Sequence, residues 1–170
     1  MTDRDRITMQ NVKIVYRNFS GLAGQYNEAG DRNFCVVLGE ELARQMEADG
    51  WNIRWQPPYE EGDPMRPILK VRVKYRTRDG RPTRPPKVIL ITSRGKNILT
   101  ERQVMLLDLA DIIETDLIIN PYEYERGKFT AYLDSIFVTI RENELELKYA
   151  DVPDSALSAM VPAENQGAPF

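Results

Sequence analysis

Apolar and polar residues alternate with a period of two along much of this chain, the spacing of half-buried β-strands. In "NVKIVYRNF" (11–19), Val12, Ile14 and Tyr16 alternate with Lys13, Val15 and Arg17, which predicts a strand with Tyr16 in the core. "RNFCVVL" (32–38) is almost wholly apolar and predicts a strand buried on both faces. "WNIRWQ" (51–56), the segment 68–76, "KVILITS" (87–93), "DIIETDLIIN" (111–120) and "KFTAYLDSIFVTI" (128–140) complete seven strands. Helical spacing appears in "EELARQMEAD" (40–49), with Leu42, Ala43 and Met46 inward and Gly50 as the stop. A second short helix is predicted in "TERQVMLLDLA" (100–110), where Thr100 and Gln103 have capping-box spacing, and a closing one in 142–149. Residues 20–31, 57–67, 78–86, "RGKN" and "PYEYERG" (121–127) read as loops and links, and Met1 to Thr8 as a loose end.

Strands that follow one another through turns, rather than alternating with helices, argue against a doubly wound parallel sheet. The pattern fits a mostly β domain over residues 1–150, a small antiparallel barrel with two or three short helices. Residues 151–170, "DVPDSALSAMVPAENQGAPF", hold three acids, no base and few large apolar residues, and predict a flexible acidic tail. No apolar run is long enough to cross a bilayer and no secretory leader opens the chain, so a cytoplasmic protein is expected.

Composition narrows the chemistry. The chain has no histidine and one cysteine, Cys35, within the apolar "FCVVL". Triads built on histidine, Cys/His zinc sites and disulfides are excluded. Asp108 with Asp111, or Glu114 with Asp116, read as solvated charges rather than a metal site, and no P-loop spacing occurs. No catalytic group, metal or cofactor is therefore expected.

Charge changes the picture more. The net charge is −3, yet residues 64–102 hold 12 of the 23 Lys/Arg and 2 of the 26 Asp/Glu. Within that span Lys70, Arg72, Lys74 and Arg76 alternate with Leu69, Val71, Val73 and Tyr75, placing four cations on one face of one strand. Such a row is either a solvated face or a track for a polyanion. The missing interspersed acids favour the second, since like charges in a row repel. Aromatic residues interleave with basic ones in "YRNF", "WNIRW" and "PYEYERGK", a pattern suited to stacking unpaired bases. Trp51 and Trp55 read as core; for Phe19, Tyr26, Tyr122 and Tyr124, at strand ends or in loops, core and surface roles both stand.

The segments "VYRNFSGLAGQYNEAGDRNFCVVL", "DGWNI", "PPKVILITSRGKN" and "DLIINPYEYERGKFTAYLDSIFVTI" resemble phage single-stranded DNA-binding proteins with an oligonucleotide/oligosaccharide-binding (OB) barrel. The resemblance spans residues 11–150 and implies sequence-independent binding of single-stranded DNA during phage replication or recombination, in the host cytoplasm, without enzymatic activity. It directs attention to Arg17, Phe19, Tyr122, Tyr124 and Lys128 near a groove whose charge comes from Lys70, Arg72, Lys74 and Arg76. The terminal Pro169 and Phe170 are similar to the tail ends of bacterial single-stranded DNA-binding proteins, which recruit replication partners. The preceding "ENQGA" carries one acid where that pattern has several. Homo-oligomerisation is compatible with this reading. The competing class is a virion structural or assembly protein whose basic strand faces an acidic partner.

Overall fold

The computed structural model describes residues 6–25, 27–76 and 84–142. Nine strands occur among them: β1 (Ile7–Met9), β2 (Lys13–Asn18), β3 (Arg32–Val37), β4 (Ile53–Gln56), β5 (Arg66–Val73), β6 (Lys87–Thr92), β7 (Gly95–Leu99), β8 (Ile112–Glu125) and β9 (Lys128–Ile140). Helix α1 (Glu40–Ala48) follows β3, and a 3-10 turn (Val104–Asp108) precedes β8. The sheet order is β1-β8-β9-β5-β3-β2, with β4 beside β5 and the β6–β7 hairpin beside β9.

The fold is mostly β, as the alternation indicates, but the sheet is open rather than a closed barrel. Where closure would join β2 to β8, the chain makes one backbone bond, from Val12 N–H to the Thr115 carbonyl at 3.0 Å, instead of a ladder. The sheet is also mixed: β9 runs parallel to both β5 and β6. Parallel pairing needs a long crossover, and such a crossover leaves no local sequence signal.

The other differences are local. Ile7–Met9 pairs with β8, so the N-terminal segment is tied down from Ile7 onward. "RGKN" opens the strand β7. "PYEYE" is the end of β8, which reaches the β9 hairpin through the two-residue turn Arg126–Gly127. The cations of 68–76 outrun their strand, since β5 ends at Val73. In α1, Ala43 and Met46 are buried while Leu42 is exposed. Gln103 accepts the Thr100 N–H at 2.9 Å, half of the expected capping box, but the turn that follows is 3-10. The expected helix at 142–149, apart from Glu142, and the tail at 151–170 lie outside the described residues.

One continuous core fills the inner face. Phe34, Val36, Leu69, Val71, Ala131, Ile136 and Val138 come from the central strands, with Trp51, Ala43, Met46, Val104 and Leu107 packed over them. Gly50 ends α1 at φ +103° and could not carry a side chain, because a Cβ there would sit 2.1 Å from the Gly127 carbonyl oxygen. That contact lets the tip of the β8–β9 hairpin dock: Phe129 N–H donates to the Gly50 carbonyl at 2.8 Å, and Asn52 N–H to the Phe129 carbonyl at 2.9 Å.

Candidate nucleic-acid interface

The cross-strand register defines the face opposite the core. Leu69, Val71 and Val73 are buried inward, so Arg66, Ile68, Lys70 and Arg72 point outward on β5. Cys35 and Asn33 of β3 oppose Lys70 and Arg72, Arg54 of β4 opposes Ile68, and Tyr132 of β9 opposes Arg72. Asn120 pairs with Tyr132 and Tyr122 with Thr130, which carries the outer face onto β8. One surface therefore holds Arg54, Lys70, Arg72, Tyr132 and Tyr122. The thiol of Cys35 lies beneath it; burial raises its pKa, against the opposing pull of Lys70 and Arg54.

At the β8–β9 end, Tyr122 and Tyr132 stack with ring centroids 4.8 Å apart and planes 9° from parallel. Phe129, Ala131 and Leu133 are buried, so Tyr132 is turned outward by simple alternation. That alternation is visible in "KFTAYLD" and is the sequence signal that reaches Tyr132, which the interleaving of basic and aromatic residues misses. Tyr122 and Tyr124 are about half exposed, and Lys128 sits at the hairpin tip, 3.6 Å from Glu125.

The basic row is less bare than its sequence. Arg72 pairs with Asp31 at 3.2 Å, and Arg76 bonds Glu101, which also lies 3.7 Å from Arg32. Asp31 is positioned by the 20–31 loop: buried Asn33 donates to Asn27 Oδ1 at 2.8 Å and to the Asp31 carbonyl at 3.0 Å. These acids are distant in sequence from the row they meet, which corrects the expectation that it lacks counter-charges. Arg72, Lys74, Arg76, Arg32, Asp31 and Glu101 line a cleft of about 420 Å³. Lys70 makes no ion pair among the described residues.

Two expected site residues point elsewhere. Phe19 is fully buried and stacked on Phe34, 5.0 Å between centroids, so its ring is closed to any base. Asp108 turns it in, accepting from Phe19 N–H at 2.6 Å, from Ser20 N–H at 3.2 Å and from the Ser20 hydroxyl at 2.7 Å. Arg17 spends its guanidinium on the carbonyls of Leu107 and Ala110, both at 2.8 Å, tying β2 to the 3-10 turn. Asp111, considered above with Asp108, pairs with Arg141 at 3.1 Å. Among the described residues no cluster of three acidic or cysteine side chains forms a metal site. None of their helices is long and apolar enough to cross a membrane. Pro169 and Phe170 lie outside them.

A second cluster lies at the other end of β5. Tyr16, expected in the core, is 52% exposed and occupies a left-handed backbone conformation, φ +52°, where β2 bulges. Its hydroxyl donates to Gln56 Oε1 on β4 at 3.0 Å, and Arg66 Nη2 donates to the same oxygen at 3.3 Å. The Arg66 guanidinium lies 4.0 Å from the ring centroid of Tyr59, which is 83% exposed.

Two solved structures are similar to this chain at low identity. The single-stranded DNA-binding protein of bacteriophage Enc34, solved in complex with ssDNA, is 12% identical, with 81% of this chain and 88% of that one aligned and a TM-score of 0.48. The single-stranded DNA-binding protein gp2.5 of bacteriophage T7 is 10% identical, with 88% and 94% aligned and a TM-score of 0.39. No curated protein sequence matches. The model of the phage ssDNA-binding domain matches residues 1–168, nearly the whole chain, and this protein belongs to that family.

Proposed function

We propose that the protein coats single-stranded DNA during phage replication or recombination, holding the strand along the outer face of β5, β9 and β8. The observation that carries this reading is the outward-facing Tyr122–Tyr132 stack with Arg72 registered directly beside Tyr132. Stacking gives every unpaired base a π-face to meet, and a neighbouring cation holds its phosphate, so binding needs no particular sequence. Lys70, Arg72, Lys74 and Arg54 supply the charge, and Tyr124 and Lys128 extend the face toward the hairpin tip. Phosphate replaces Asp31 and Glu101 as the partner of Arg72 and Arg76, an exchange of one charge-assisted bond for another.

The experiment is a titration of labelled oligo-dT and its duplex counterpart at two salt concentrations. Single strands should bind better than duplex, and log affinity should fall against log salt with a slope of roughly −0.7 per phosphate neutralised. Equal affinity for duplex, or indifference to salt, overturns the reading. Recruitment of replication proteins through Pro169 and Phe170 belongs to the same proposal and rests on their sequence alone. It predicts that removing Phe170 abolishes a partner's pull-down and leaves oligonucleotide affinity unchanged.

A further inference from the structure

We propose that Tyr16, Tyr59 and Arg66 form a second base-stacking station, at the opposite end of β5 from Tyr122 and Tyr132, which holds another unpaired nucleobase of the same strand. This rests on the outer face being the DNA path.

Three observations converge. The cluster is on that path: Arg66, Ile68, Lys70 and Arg72 project from one face of β5, and Gln56, registered against Arg66, faces the same way. Tyr16 is on β2 and Gln56 on β4, and β3 and β5 lie between them in the sheet. A 3.0 Å bond between the two side chains therefore carries Tyr16 across the outer face of both intervening strands. Cys35 and Ile68 on those two strands face outward and are nonetheless buried.

The tyrosine is also held there against a backbone cost. A non-glycine residue in the left-handed region stores about 1–3 kcal/mol, and such outliers persist where the surroundings over-determine them, often at ligand sites. Here the bulge that sets φ +52° is what aims Tyr16 toward β4 instead of the core. At 52% exposure it leaves ring surface open to solvent.

The third observation is chemical. Tyr59 has a guanidinium on one ring face and water on the rest, a cation–aromatic pair of the kind that stacks a base and meets its phosphate. Arg66 Nε is buried and has no hydrogen-bond partner among the described residues.

The six-residue step from Arg66 to Arg72 spans roughly 20 Å at the rise of a strand, the length of about six stacked nucleotides or fewer extended ones. A strand lying along β5 thus meets Tyr59 and Tyr16 at one end, Lys70 in the middle and the Tyr122–Tyr132 stack at the other.

The test is photo-crosslinking of the full chain to a dodecamer of thymidine with one 5-iodouracil, moved position by position, and mass-spectrometric mapping of the adducts. Adducts at Tyr16 or Tyr59 and at Tyr122 or Tyr132, from positions a constant few nucleotides apart, are expected. Adducts at Tyr122 or Tyr132 alone overturn the second station and leave the proposed function intact. Adducts at Tyr16 or Tyr59 alone keep the station and overturn the Tyr122–Tyr132 placement; adducts at neither pair overturn both. In parallel, Tyr59→Ala should weaken the dodecamer by about fivefold or more with an unchanged melting temperature, and Tyr59→Phe should retain most of the affinity. Full affinity in Tyr59→Ala overturns the station.

Discussion

Two pairs of aromatic rings in this molecule have nearly the same geometry and opposite surroundings. Phe19 and Phe34 stack at 5.0 Å and 18°, fully buried; Tyr122 and Tyr132 stack at 4.8 Å and 9° on an open sheet face. Ring geometry does not distinguish a structural pair from a binding platform. What distinguishes them is the second face of each ring. In the core both faces meet protein, and removing a ring leaves a cavity. On the sheet Tyr122 is about half exposed, and the same dispersion and quadrupole terms are left for a base.

The largest effect expected from breaking this comparison is in the buried pair. Phe34→Ala removes a fully enclosed ring from the centre of the core and should cost about 3–5 kcal/mol of stability. Chemical denaturation should show a lower midpoint with DNA affinity per folded molecule unchanged. A variant of native stability would mean that the core repacks around the loss.

Tyr132→Ala sharpens the contrast from the other side. Truncating one ring of the open pair should cost about 1–3 kcal/mol in binding oligo-dT while leaving the denaturation midpoint nearly where it was. Paired titration and melting of both alanine variants would place each ring on one axis. Tyr132→Ala behaving like Phe34→Ala would show that the outer stack is structural.

The two pairs also show where sequence stops informing. Strand alternation placed Leu69, Val71 and Val73 inside and the cations of β5 outside, because burial on one face is written locally at period two. The same rule reaches Tyr132, whose neighbours Ala131 and Leu133 are inward. Phe19 defeats it: at the end of β2 beside a glycine-rich loop it looks free, and it is held in by Asp108, 89 residues away. Arg17 is likewise consumed by carbonyls 90 and 93 positions along the chain. Tyr16 follows the alternation of "VKIVY" on paper, but the bulge between Val15 and Asn18 breaks register and turns it out. The parallel pairings of β9 and the opening between β2 and β8 have no local signature either. Partners that meet only through the fold are the part a single sequence does not spell out.

The cations around the open pair offer a finer test. Lys70 lies between the two aromatic clusters and makes no ion pair among the described residues, so its charge is available to a phosphate. Lys70→Glu should weaken binding to all single strands alike and reduce the steepness of the log–log salt slope by about 0.7, the share of one phosphate contact. Melting should be unaffected, because the side chain is only partly buried and outside the core cluster. An unchanged slope would move the DNA path off β5.

The smallest effect belongs to Glu101, which holds the end of the basic row closed. Hydrogen bonding from Arg76 is the main reason its carboxyl titrates below the ordinary value of 4.5; burial works against the shift, and Arg32 adds to it. A depressed folded-state pKa means that the group contributes stability above pH 4.5, and that this is lost as pH falls through the folded value. The amount is small, since the pair is largely solvated; exposed ion pairs contribute about 0–1 kcal/mol. Glu101→Gln should therefore lower the melting temperature slightly at neutral pH, and variant and wild type should converge as pH drops below 4.5. The same substitution removes a negative charge from the cleft that Arg72, Lys74 and Arg76 line, so oligo-dT should bind somewhat more tightly, most of all at low salt where screening is weakest. A loss of DNA affinity in Glu101→Gln would show that Glu101 presents the arginines to the strand rather than competing with it. The charged end of the row would then resemble the buried ring pair, in that its geometry is fixed by protein before any ligand arrives.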